Sequence, residues 1–132
     1  DKKSGCIVNI TSIAGFEPLT GTISYSNSKA AANSLTQWLA VHMAQNYSPN
    51  IRVNAIAPGF LLTALNRYLL IDERTRDYSE KGQRVLKNVP MGRIGDPLDI
   101  TGAVIWLCSD SARFVTGVVI PVDGGFTAYS GV

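Results

Sequence analysis

The sequence predicts an α/β fold, a doubly wound parallel sheet with helices in its crossovers, and three observations carry that reading. Three short β-branched apolar runs, 6–11, 51–57 and 118–122, are separated by segments long enough for right-handed helical crossovers. The segment from Tyr25 to about Tyr47 repeats its apolar residues at helical steps. Each run also ends in turn-forming residues, Ser12-Ile-Ala-Gly15, Pro58-Gly59 and Asp123-Gly-Gly125.

Cys6-Ile-Val-Asn-Ile-Thr11, introduced by Gly5, reads as a strand buried on both faces. After Pro18 and Gly21, Ala31, Leu35, Trp38, Leu39 and Met43 fall on one stripe of a long amphipathic helix that Pro49 and Asn50 stop. Ile51-Arg-Val-Asn-Ala-Ile-Ala57 is the second strand. Residues 60–92 are richer in charge and weakly periodic, with short helices near Leu61–Leu70 and Ser79–Lys87, and read as an excursion over the surface rather than sheet. Asp96 can cap a helix with Pro97 and Asp99 in its first turn and an apolar stripe of Leu98, Ile100, Val104, Ile105 and Leu107, running to about Ser109. Val118-Val-Ile-Pro-Val122 is the third strand, and Pro121 places it at an edge or strand end. Three strands are few for such a sheet, so the chain is expected to be one half of a larger domain.

Composition narrows the function. The 132 residues are 45% hydrophobic and 17% charged, with a formal charge of +2 and the two signs interspersed, so no basic field exists for nucleic acid. No apolar run is long enough to span a membrane and no signal-peptide pattern opens the chain at Asp1, which points to a cytoplasmic protein. Cys6 and Cys108 lie in apolar stretches outside any Cys-x-x-Cys or Cys/His cluster, and reduced, buried thiols are expected, with no metal site. Asn9-Ile-Thr11 and Asn46-Tyr-Ser48 match the glycosylation pattern by chance.

Ligands of an open parallel sheet bind beyond the carboxyl ends of its strands. Ser12 follows the first strand, and Tyr25 and Lys29 lie one helical turn apart on the same face near it. A tyrosine titrates near ~10, but an ammonium group a few ångströms away favours the phenolate, so such a tyrosine can exchange a proton with an alcohol or carbonyl. The Ser12 hydroxyl can donate to the same substrate oxygen. This is equipment for carbonyl–alcohol interconversion, with a nicotinamide as the simplest hydride carrier. Tyr-x-x-x-Lys alone arises by chance in roughly one chain in four of this length. The joint pattern is far more specific: a strand ending Asn-Ile-Thr-Ser, Tyr-x-x-x-Lys thirteen residues later, then a strand ending Pro-Gly.

Through Ile7-Val-Asn-Ile-Thr-Ser12, Tyr25-Ser-Asn-Ser-Lys29-Ala-Ala, Ile51-Arg-Val-Asn-Ala-Ile-Ala-Pro-Gly59, Thr63, Asp110 and Val119-Ile-Pro-Val-Asp-Gly-Gly125, the chain resembles the carboxyl-terminal half of the short-chain dehydrogenase/reductase family. The resemblance implies the carboxyl-terminal portion of a Rossmann-type sheet, with residues 1–132 forming half of one dinucleotide-binding oxidoreductase domain. It implies Ser12 as the substrate-orienting serine, Tyr25 as general acid/base and Lys29 as the residue that assists the tyrosine and binds the nicotinamide ribose. It further implies that Tyr25, Lys29, Pro58, Gly59, Leu61 and Thr63 contact the cofactor, NAD or NADP with NAD the first choice.

The family's glycine-rich turn, its cofactor-selecting residue, its Asn-Asn-Ala-Gly segment and its active-site asparagine would all precede Asp1, and no G-x-G-x-x-G occurs in the chain. Gln37-Trp-Leu-Ala-Val-His-Met43, Asn66-Arg67, Phe126 and the Ser130–Val132 end resemble bacterial sugar-acid oxidoreductases of the mannonate/fructuronate type. Of Arg67, Arg74, Arg76, Lys81, Arg84 and Lys87, Arg67 is chosen as the partner of a substrate carboxylate, the rest being solvated charges. His42, Trp38 and Trp106 read as packing or interface residues, and the resemblance implies dimers or tetramers built through the long helix, the helix near 97–109 and the last strand. A catalytically incomplete assembly module is the alternative function. A serine hydrolase is discounted because Ser12 lacks the G-x-S-x-G elbow.

Overall fold

The computed structural model describes residues 3–131, so Asp1 and Val132 of the terminal segments read above lie outside the described residues. Three parallel strands, β1 (Gly5–Ile10), β2 (Ile51–Pro58) and β3 (Val119–Val122), form a sheet in the order β1-β2-β3. Gly5 aligns with Ile51 and Ile10 with Ile56, while Ala55 to Pro58 align with Val119 to Val122. The helices are α1 (Ile23–Asn46), α2 (Arg67–Leu70), α3 (Glu80–Lys87) and α4 (Thr101–Cys108).

Central β2 carries the core. Val53, Asn54, Ala55, Ile56 and Ala57 are fully buried in succession, as a strand covered on both faces must be. Asn54 is tolerated there because both ends of its amide are used: Nδ2 donates to the Val115 carbonyl at 2.9 Å and Oδ1 accepts from the Val118 N–H at 3.2 Å. That clamp, with Gly117 N–H on the Val53 carbonyl and Thr116 Oγ1 accepting from Val53 N–H, aims the chain into β3 beside β2.

The expectation of burial on both faces fails for β1. Ile7 and Ile10 are exposed, Ile10 to 50%, because β1 has β2 on one side and no strand on the other among the described residues. The predicted stripe of α1 fails too. Its buried residues are Ser26, Asn33, Thr36 and Ala40, whereas Ala31 and Leu35 are exposed and Trp38 is 60% exposed. Small residues let the helix lie close to the sheet, and Thr36 joins the two by accepting from Asn9 Nδ2 at 2.9 Å while donating to the Ala32 carbonyl. Asn33 has neither amide atom paired among the described residues.

A 3-10 turn, Pro97–Ile100, precedes α4, and the Asp96 cap is present as a full capping box with Asp99. Of the stripe assigned to this region only Leu107 is buried. Leu98 is 76% exposed and Ile105 is exposed as well. Trp38 and Trp106 are therefore not core residues.

The excursion after β2 is more than a surface loop. Leu70, Val85, Val89 and Ile94 form their own buried cluster, against which Phe60, Leu62, Tyr78 and Phe126 pack. Ser79 caps α3 through the Gly82 N–H and donates to the Leu69 carbonyl, drawing α2 and α3 together. Gly82 is required by that closeness: a Cβ there would lie 2.3 Å from the Leu70 carbonyl oxygen. Gly82→Ala is expected to destabilise the protein by about 1–3 kcal/mol, since backbone must shift to admit the methyl. A urea-unfolding midpoint lower than wild type with an unchanged slope would show it.

Candidate functional site

The site is assembled at the carboxyl end of the sheet. Past β1, Thr11 leans on β2, its N–H and hydroxyl both donating to the Ile56 carbonyl, at 2.8 and 3.2 Å. Ser12 then caps a 3-10 turn, Ile13–Gly15, with its Oγ accepting the Ala14 N–H at 3.1 Å. Because that bond uses an oxygen lone pair, the hydroxyl hydrogen remains available to donate. Ser12 is only 7% exposed.

Gly15 brings this turn against α1. A Cβ at Gly15 would lie 2.7 Å from Asn33 Nδ2 and 2.8 Å from the backbone carbonyl of Lys29, so a larger residue would push turn and helix apart. Across this contact Lys29 reaches back to β1 and donates from Nζ to the Ile10 carbonyl at 3.1 Å. The same Nζ lies 5.6 Å from the centre of the Tyr25 ring, within cation–π range. Lys29 thus joins the end of β1, which Ser12 follows, to the Tyr25 ring, and Tyr25 is 47% exposed.

The segment after β2 packs against the end of β3. The Gly59 N–H donates to the Val122 carbonyl at 3.0 Å, and a Cβ at Gly59 would fall 2.6 Å from Asp123 Cβ, so glycine allows the two strand ends to touch. Asn66 holds the following loop from inside, accepting the Thr63 N–H at 2.8 Å and donating to the Leu61 carbonyl at 2.7 Å. Phe60 and Leu62 exchange backbone hydrogen bonds with Gly95. Sequence reasoning gave Asn66 no structural role; an asparagine three residues after Thr63 in a turn was the available signal. Asp123 organises the end of β3, accepting from the Gly125 N–H and from both the N–H and hydroxyl of Thr127. Burial pushes its carboxyl up, but the hydrogen bonds from Thr127, Gly125 and Phe126 outweigh it and the net shift is downward.

Between these loops lies a cavity of about 210 Å³. Leu61 lines it, as do Phe60, Met91, Arg93, Asp99 and Asp123. Arg67 does not; it is exposed at the start of α2, and Arg93, outside the basic residues weighed for a substrate role, is the arginine at the cavity. Its guanidinium makes a two-point pair with Asp99, 2.6 Å from Nη1 to Oδ2 and 2.8 Å from Nη2 to Oδ1. The Arg93 hydrogen bonds, then the Asp96 N–H, hold the Asp99 carboxyl down at about 2. Among the described residues no group of three or more His, Cys, Asp or Glu side chains could hold a metal, and no helix is long and apolar enough to cross a membrane.

A carboxyl whose folded value lies below its ordinary 3.8 adds stability above 3.8 and loses it as pH falls toward about 2. Melting temperatures measured across that window should fall less steeply for Asp99→Asn than for wild type, with only a small difference because the pair is exposed.

Comparison with known proteins places this geometry. A family model described as Enoyl-(Acyl carrier protein) reductase matches residues 1–127. The uncharacterized oxidoreductase UxuB of Bacillus subtilis is 44% identical over 130 residues, which are 98% of this chain and 45% of that protein. A crystal structure of a candidate D-mannonate oxidoreductase from Haemophilus influenza with bound NAD superposes with a TM-score of 0.88 at 46% identity, covering 99% of this chain and 46% of that one. A candidate 2-deoxy-D-gluconate 3-dehydrogenase from Agrobacterium tumefaciens with bound NADP gives 0.82 at 36% identity, covering 96% and 48%. The chain spans about half the length of the curated relatives it matches.

Proposed function

The chain belongs to the short-chain dehydrogenase/reductase family, and from that premise we propose that the protein carrying it is an NAD(P)-dependent oxidoreductase interconverting a secondary alcohol and a carbonyl. The substrate we assign is a sugar acid of the mannonate/fructuronate type, and the protein works as a cytoplasmic homo-oligomer. The observation that carries the reading is Lys29 held between the Ile10 carbonyl and the Tyr25 ring, beside the Ser12 turn.

In the reducing direction the Tyr25 hydroxyl gives its proton to the carbonyl oxygen while the Ser12 hydroxyl donates a hydrogen bond to the same atom. The Lys29 ammonium stabilises the negative charge left on the phenolic oxygen. Oxidation runs the same proton path in reverse. The residues present suit the nicotinamide end of a dinucleotide: of three Lys29 N–H groups one is on the Ile10 carbonyl, leaving two for ribose hydroxyls. Pro58, Gly59, Leu61 and Thr63 offer a backbone-held edge for the nicotinamide and a hydroxyl for phosphate. The nicotinamide, when bound, supplies or accepts the hydride. Bound NAD and NADP in the two similar crystal structures support this, as does the sugar-acid chemistry in their names. Arg67 is the residue we assign to the substrate carboxylate, its exposure on α2 leaving it open to an anion.

The exposed Leu35, Trp38 and Val41 of α1 support assembly through that helix. They equally favour the second reading, an assembly module without turnover. Activity separates the two. In the intact protein, Tyr25→Phe is expected to lower kcat for reduction of a keto sugar acid by about 10²-fold or more, with cofactor binding by fluorescence near wild type. Undiminished turnover by Tyr25→Phe would overturn the acid/base role, and no turnover by the intact wild type with either cofactor would favour the module.

A further inference from the structure

The amino end of the sheet holds chemistry that the proposed reaction does not use. Cys6 on β1 and Arg52 on β2 are register partners, placed side by side facing the carboxyl end of α4. The Arg52 guanidinium donates to the Leu107 carbonyl at 2.7 Å and to the Ser109 carbonyl at 3.3 Å, fixing the backbone on either side of Cys108. The Cys6 thiol donates to that same Leu107 carbonyl, at 3.3 Å. Cys6 and Cys108 line one open cavity of about 480 Å³ together with Arg52, Asp110 and Arg113. Cys108 is exposed and Cys6 half-buried, which corrects the expectation of two buried thiols.

We propose that Cys6 and Cys108 are a vicinal dithiol that closes to an intramolecular disulfide on exchange with a low-molecular-weight disulfide such as oxidised glutathione, tying β1 to the end of α4. Exposure makes Cys108 the attacking group: its thiolate forms a bond to one sulfur of the oxidant, whose own S–S bond breaks and whose other half leaves as a thiolate that takes up the Cys108 proton. Cys6 then attacks the Cys108 sulfur of the mixed disulfide and expels the second half as a thiol, carrying the Cys6 proton. Two protein thiols are oxidised and one small disulfide is reduced to two thiols. Burial raises the Cys6 thiol's pKa, with Arg52 opposing, so Cys6 waits as the thiol and acts second. Arg52 and Arg113 at the cavity suit an anionic oxidant such as the glutathione disulfide. The cavity lies at the end of the sheet opposite Ser12, so this inference is independent of the proposed reaction.

The test is intact mass and peptide mapping of the native protein under non-reducing conditions after incubation with oxidised glutathione. The expected result is a loss of about 2 Da with both thiols protected from alkylation, a linked pair of peptides containing Cys6 and Cys108, and full reversal by dithiothreitol. Cys6→Ser should instead retain a glutathione on Cys108, a gain of about 305 Da, because nothing remains to expel it. Stable glutathione adducts on the wild type, disulfides joining two chains, or two thiols that stay free and alkylatable at high oxidant would each overturn the proposal.

Discussion

The carboxyl end of β2 is where the architecture is held together. The Ile56 carbonyl receives both the N–H and the hydroxyl of Thr11, and three residues later the Gly59 N–H closes onto the Val122 carbonyl. One strand end therefore sets the position of Ser12 on one side and of Asp123 on the other. Burial of Val53 to Ala57 keeps competing water from the Ile56 carbonyl, and a buried carbonyl left without donors would be costly.

Around this strand, closeness is obtained with small side chains. Ala55 and Ala57 keep β2 thin, Gly15 lets the Ser12 turn rest on the backbone of Lys29, and Gly59 lets the loop beyond β2 touch Asp123. The buried face of α1 follows the same rule with Ser26, Thr36 and Ala40. Large apolar groups on that face would hold the helix away from the sheet and withdraw Lys29 from the Ile10 carbonyl. Leu35, Trp38 and Val41 of α1 are consequently turned outward, where a further surface can cover them.

Parallel strands give the sheet two chemically different ends. At the carboxyl end the turns present a serine, a tyrosine, a lysine and backbone groups. At the amino end, where α4 terminates, Arg52 gathers the backbone carbonyls of Leu107 and Ser109 and with them the two sulfurs. The cavity between the loops at residues 60–62 and 93–99 is shaped by the Arg93–Asp99 pair, which belongs to the capping of the turn before α4 as much as to the cavity wall.

Much of this was written locally. Strand and helix positions, the Asp96 capping box, the turns at Pro58-Gly59 and Asp123-Gly-Gly125, and the one-turn spacing of Tyr25 and Lys29 depend on neighbours in the chain, and periodicity and turn chemistry record such neighbours directly. Tertiary structure alone decided which faces are buried. Leu35, Trp38, Leu98 and Ile105 have the spacing of a core stripe, yet the helix face that meets the sheet is chosen by how closely backbones must approach. Packing likewise put Arg93 rather than Arg67 at the cavity and brought together Cys6 and Cys108, which no motif connects. A residue's spacing states which side chains share a face; whether that face meets protein or water is settled only by the elements that pack against it.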